Sequence, residues 1–144
     1  MKTIFVIALL ALALQAGAEL ITNLPARLAW KMEYHQKSDP GINGTDVNPS
    51  PGAIYPGNSM EDTCTTRGHE YDLKWAFLGR DGNHDVYRFT FIRDTKQRGG
   101  PPVQTTTTKD VEFDGKEVVV FDDDLHTVIM KSPDQSDLQS RPAK

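Results

Sequence analysis

The chain has 144 residues, a formal net charge of −4 at pH 7 and one cysteine. That length suits one domain with a single core, and one cysteine excludes an internal disulfide, so burial has to hold the fold. Twenty acidic residues against sixteen basic ones, with no basic stripe interleaved with aromatics, exclude nucleic acid and anionic membrane as natural partners.

Residues 1–18 carry Lys2, the apolar run Ile4 to Leu14 and the small-residue stretch Ala16-Gly17-Ala18. Together these predict an export signal cleaved after Ala18. The apolar run is too short for a stop-transfer helix and no later run is longer, so no membrane span is expected. A secreted or periplasmic protein follows, with one β-rich domain over residues 19–131 and a disordered tail over 132–144. A lone cysteine fits a bacterial export better than a disulfide-stapled animal module.

From Leu28 to His35 the residues alternate, placing Leu28, Trp30, Met32 and Tyr34 on one face and Lys31, Glu33 and His35 on the other. This predicts a half-buried strand. Gln36 to Gly68, with Pro40, Pro49, Pro51 and Pro56, reads as one long Pro/Gly-rich loop, pinned by Ile54, Tyr55 and Met60. Asn43-Gly44-Thr45 matches a glycosylation acceptor, but it reads better as an Asn-Gly turn. Cys64 reads as a thiol partly buried in this loop, or as half of an intermolecular disulfide.

Tyr71, Leu73, Trp75 and Phe77 share one face of a second strand, and Tyr87, Phe89 and Phe91 share one face of a third. The turn-rich stretch Gly79 to Asp85 joins them as a hairpin. Matching the aromatic faces sets Trp75 opposite Phe89, Phe77 opposite Tyr87 and Leu73 opposite Phe91, because a one-residue slip would turn one set of rings into water. This hairpin is the expected core.

Asp94 to Pro102 is a second loop. Val103 to Phe113 and Glu117 to Phe121 then flank Asp114-Gly115, which predicts another hairpin. A three-residue turn, Asp114 to Lys116, is favoured because it sets Val111 opposite Val119 and avoids facing Glu112 with Glu117. Val118 to Phe121 is apolar on both faces and so is expected inside a sheet or covered on both sides. Leu125 to Lys131 continues the meander, and the polar residues after Pro133 predict a mobile tail. The fold class is all-β, an antiparallel meander forming a small sandwich or a strongly curved sheet.

The chemistry-bearing residues are sparse. Cys64 with His69 matches no nucleophile signature. His35, His84 and His126 stand one to a segment, and the spacing of His69, Glu70 and Asp72 is not that of a zinc site. Asp81-Gly82-Asn83-His84-Asp85 alternates oxygen ligands like a calcium loop and Asp122-Asp123-Asp124 adds carboxylates, yet the required glycine and bidentate glutamate are missing. All five aspartates are expected to be solvated turn residues. No nucleophile elbow, phosphate loop or dinucleotide fingerprint occurs. We therefore expect no catalytic, cofactor-binding or metal-binding residues and no cofactor.

The function expected is that of an exported accessory or binding module, its partner another exported protein or a cell-surface macromolecule. The alternative is a small hydrolase or metal-dependent enzyme with a site between the 36–68 loop and the 71–92 hairpin, using His69, Glu70 and Asp72.

Overall fold

The computed structural model describes residues 19–39, 41, 43–66 and 69–139, the side chains of residues 62–66 and 69 excepted. The expected export segment lies outside these residues. The central hairpin pairs β4 (His69–Asp81) with β5 (His84–Thr95), and the pairs Trp75↔Phe89, Phe77↔Tyr87 and Leu73↔Phe91 form as the alternation requires. All six side chains are buried, with Phe77 and Tyr87 fully so. The turn is tighter than expected, only Gly82 and Asn83 lying between Asp81 and His84. A register shift between Phe77 and Gly79 absorbs one residue and lets pairing run to the hairpin tip.

Two four-stranded antiparallel sheets result, ordered β3-β4-β5-β6 and β2-β1-β8-β7. The first takes β3 (Ser59–Thr66) and β6 (Val103–Phe113) as its edges, and the second contains β1 (Trp30–Gln36), β2 (Gly44–Asn48), β7 (Val118–Asp122) and β8 (His126–Lys131). The inner faces meet in a single apolar cluster that joins Trp30, Met32, Val120, Val128 and Met130 to the hairpin aromatics. This is a small all-β sandwich. Four ring pairs bridge the layers: Trp30 meets Trp75 edge-on at 5.4 Å and Tyr87 edge-on at 6.4 Å, Phe91 stacks on Phe121 at 4.0 Å, and Tyr71 meets His126 edge-on at 4.3 Å.

Several expectations change. The stretch Gln36 to Gly68 contains β2, a short 3-10 turn at Pro51–Ala53 and β3, so it supplies an edge to each sheet. Cys64 accordingly lies on β3, its backbone in register with Tyr71.

The hairpin expected between Val103 and Phe121 does not form. β6 pairs with β5 and β7 with β8, and the corner at Asp114–Lys116 carries the chain from one sheet to the other. An Asp-Gly turn serves either route. Val111 and Phe113 from one sheet and Val120 from the other join the same apolar cluster, with Val118 packed against it. Gly115 adopts a left-handed conformation, φ +95°, while Asp114 Oδ1 accepts the Lys116 N–H at 2.9 Å. β7 is an edge strand, not an interior one. Val120 keeps the inward phase of Val118, the bulge there brings Phe121 inward as well, and Val119 faces solvent, 43% exposed.

The N-terminal segment closes the hairpin end of the sandwich. Ile21 exchanges two backbone hydrogen bonds with Arg80, Ala26 donates to the Ile54 carbonyl at 2.7 Å, and Arg27 and Leu28 both donate to Asp85. At the other terminus, where the sequence suggests a tail, Gln135–Gln139 forms one short helix, α1. Asp137 on it accepts the Lys31 ammonium at 3.1 Å. No helix among the described residues is long and apolar enough to cross a membrane.

Candidate functional site

At the end of the sandwich remote from the hairpin tip, the sheets part around a cavity of about 190 Å³. Tyr34, Phe121, His126 and Val128 contribute one wall, and Tyr71, Leu73 and Phe91 contribute the other. Gln36, Asn43, Gly44 and Thr45 form its rim. Strand alternation explains the lining. Tyr71 and Leu73 continue the inward face that carries Trp75, and His126 and Val128 continue the one that carries Met130.

The wall is braced from behind. Tyr71 donates its hydroxyl to Asp123 Oδ2 at 3.2 Å, and the Arg93 guanidinium lies 5.7 Å from the centre of its ring. Asp123 Oδ1 meanwhile accepts the backbone N–H groups of Leu125 and His126 at 2.8 and 2.7 Å, which fixes the turn that enters β8. Arg93 pairs with both Asp123 and Asp124, and the hydrogen bond to Asp124 chiefly raises its pKa further. Burial, reinforced by the Asp123 charge, pushes the Tyr71 phenol well above its ordinary value, so it stays protonated and keeps donating its hydrogen bond to Asp123.

Among the described lining residues there is no carboxylate, thiol or lysine. The cavity can therefore hold an apolar ring by shape and by aromatic contact, with His126, Asn43 and Gln36 as polar neighbours. A second, larger opening of about 510 Å³ runs between β6 and β7, past Arg93, Thr105, Thr107 and Lys109. Its charges are already engaged, Arg93 by the aspartates and Lys109 by the Val119 carbonyl at 2.8 Å.

The residues singled out from the sequence are dispersed. Glu70 and Asp72 flank Tyr71 in β4 and so occupy the outer face of the sheet, away from the cavity. The side chain of His69 is outside the described residues. His35 lies on the outer face of β1, its Nε2 3.4 Å from Glu33, while His84 sits at the hairpin tip, and among the described histidine side chains only His126 reaches the cavity. No group of three or more His, Cys, Asp or Glu side chains is placed to hold a metal ion among the described residues.

Two of the five aspartates expected in solvent are structural instead. Asp85 is fully buried, with Oδ2 accepting the Arg27 and Leu28 N–H groups, both at 2.7 Å. Asp123 braces Tyr71 and the β8 turn. Asp85 serves backbone donors from a distant segment, whereas Asp123 caps the turn it stands in, through the N–H groups of Leu125 and His126, and adds long-range contacts with Tyr71 and Arg93. His126 had a signal that spacing alone carries: it alternates with Val128 and Met130, which marks it as inward-facing. Phe121 had none, since the residue that the bulge absorbs shifts its phase. No family model, curated protein or solved structure matches this chain.

Proposed function

We propose that this protein is an exported, non-enzymatic binding module whose ligand enters the cavity between the sheet ends. One observation carries the reading: an apolar, aromatic-walled space of about 190 Å³ between the sheet ends. Sandwich interiors are ordinarily close-packed, so an apolar recess open at the sheet ends offers a ligand's ring contacts that the chain itself does not fill. An apolar cavity of roughly 150 Å³ binds benzene. The ligand class that fits is a single aromatic or branched aliphatic group, either a free small molecule or one side chain of a partner. Export is supported by the charge, apolar run and small-residue site of residues 1–18.

The test is titration with benzene and with indole, followed by the NMR signals of Tyr71, His126 and Val128. Saturable shifts of those residues, lost in a Val128→Phe variant that fills the space but retains its fold, are expected. Signals that stay put at millimolar ligand would overturn the assignment.

A further inference from the structure

Four strands end the two sheets, and three of them are guarded. β2 and β7 are only five residues long, and β7 is bulged. β3 carries a charged pair at its exposed surface, Glu61 beside Lys74 of β4. Short length, bulges and charges are the devices that keep sheet edges from pairing with other chains. β6 has none of them over its first half. Its register with β5 runs unbroken from Val103↔Thr95 to Phe113↔Asp85, and Val103 to Thr108 contains no charge, proline or glycine.

Residues 103–110 are all exposed, on both faces, so this stretch projects as an uncovered ribbon. Every second residue of it turns its N–H and C=O away from β5 into solvent. The nearby charges do not screen this edge. Asp110 is held by Arg88 in a two-pronged pair at 2.7 and 2.8 Å, and Lys109 is turned toward β7.

We propose that β6 pairs antiparallel with β6 of a second copy of this chain, joining two four-stranded sheets into one of eight strands. The sequence is self-matching in that arrangement. Facing residues in an antiparallel pair must have the same hydrogen-bonding phase, so a two-fold axis passes through a residue and not between two. Centred on Thr106 or on Thr107, it sets threonine opposite threonine, a favourable cross-strand pair. Lys109 then faces Val103 or Thr105 of the other copy, and no like charges meet. The four-threonine run Thr105–Thr108 also has the β-branched character that favours a pleated, extended backbone.

Sedimentation equilibrium of the protein from about 1 to about 500 μM tests this, since an edge-to-edge dimer dissociates with dilution. A reversible monomer–dimer equilibrium is expected. In the double variant Thr106→Lys/Thr107→Lys, either axis sets lysines against each other, and the dissociation constant should rise at least about tenfold with the circular dichroism and melting temperature retained. Thr106→Glu/Thr107→Glu should likewise be monomeric, and mixing the two variants should restore a 1:1 dimer. A wild-type protein that stays monomeric throughout, a dimer that survives both substitutions, or a mixture that fails to reassociate would each overturn the pairing.

Discussion

Leu28 donates its backbone N–H to Oδ2 of Asp85 at 2.7 Å, across 57 positions of sequence. Arg27 donates to the same oxygen, so one buried carboxylate fixes the point at which the chain enters β1. Removing it leaves two N–H groups to be satisfied in a closed space. Asp85→Ala should cost about 2–4 kcal/mol, read as a lower urea midpoint, because unsatisfied buried donors carry their full desolvation penalty. Asp85→Asn keeps one accepting oxygen and should cost less.

Gly79 and Gly82 make a controlled comparison within one hairpin. Gly79 sits at φ +146°, and a Cβ there would lie 2.7 Å from the Ile21 carbonyl oxygen, a backbone atom that cannot swing aside. Gly82 has φ +56° and open space around it. Gly79→Ala should therefore cost at least about 1–3 kcal/mol and break the Ile21–Arg80 bridge. Gly82→Ala should cost only about 1 kcal/mol, the left-handed penalty alone. Equal losses in chemical denaturation would remove the steric explanation.

How far the fold could be read ahead of the structure follows from how local its determinants are. The Trp75↔Phe89 register is set by alternation inside two adjacent strands, and it formed as read. The route after Phe113 depends on whether Val118 gains more along the sheet or across the core, which no local pattern states. The cavity is harder still, since Tyr34, Tyr71, Phe121 and His126 come from four strands and meet only when the two sheets pack. Trp75→Ala should cost about 3–5 kcal/mol, the usual loss for a large buried ring. An unchanged denaturation midpoint would show that the Trp30 contact does not hold the sheets together.

On the outer face of β1 and β8, Lys31, Glu33 and Lys131 form an ion cluster that α1 partly covers. Glu33 lies 2.7 Å from the Lys131 ammonium and 3.6 Å from that of Lys31. The Lys131 hydrogen bond chiefly holds the Glu33 carboxyl below its ordinary range, and the Asp134 N–H followed by Lys31 does the same for Asp137. A carboxyl with a depressed folded value adds stability above its unfolded value and loses it as pH falls through the folded one. Lys31 and Lys131 are shifted up, by Asp137 and Glu33 respectively, so their share persists until pH rises beyond the ordinary lysine value of 10.5. Glu33→Gln should cost about 1–3 kcal/mol on the intervening plateau, as expected for hydrogen bonds to a charged group. The difference from wild type should shrink in acid, below the ordinary carboxylate range. Truncation after Lys131, which removes Asp137, should lower the melting temperature at neutral pH and matter less in acid.

Calcium tests the remaining carboxylates. Asp85 has committed one oxygen to two backbone donors inside the core, and Asp123 divides its oxygens among Leu125, His126, Tyr71 and Arg93. Asp122 is engaged by Thr127 at 2.7 Å and Lys37 at 2.9 Å. A hard cation needs six to eight oxygens free to turn toward it, and these already have partners within the chain. The melting temperature should thus be the same in millimolar calcium and in excess chelator, because only a ligand that binds the native state raises stability by mass action. Asp123→Ala should lower it in both media, by freeing the β8 turn and Tyr71 together. A rise with calcium that Asp123→Ala abolishes would show instead that the aspartate run is an ion site.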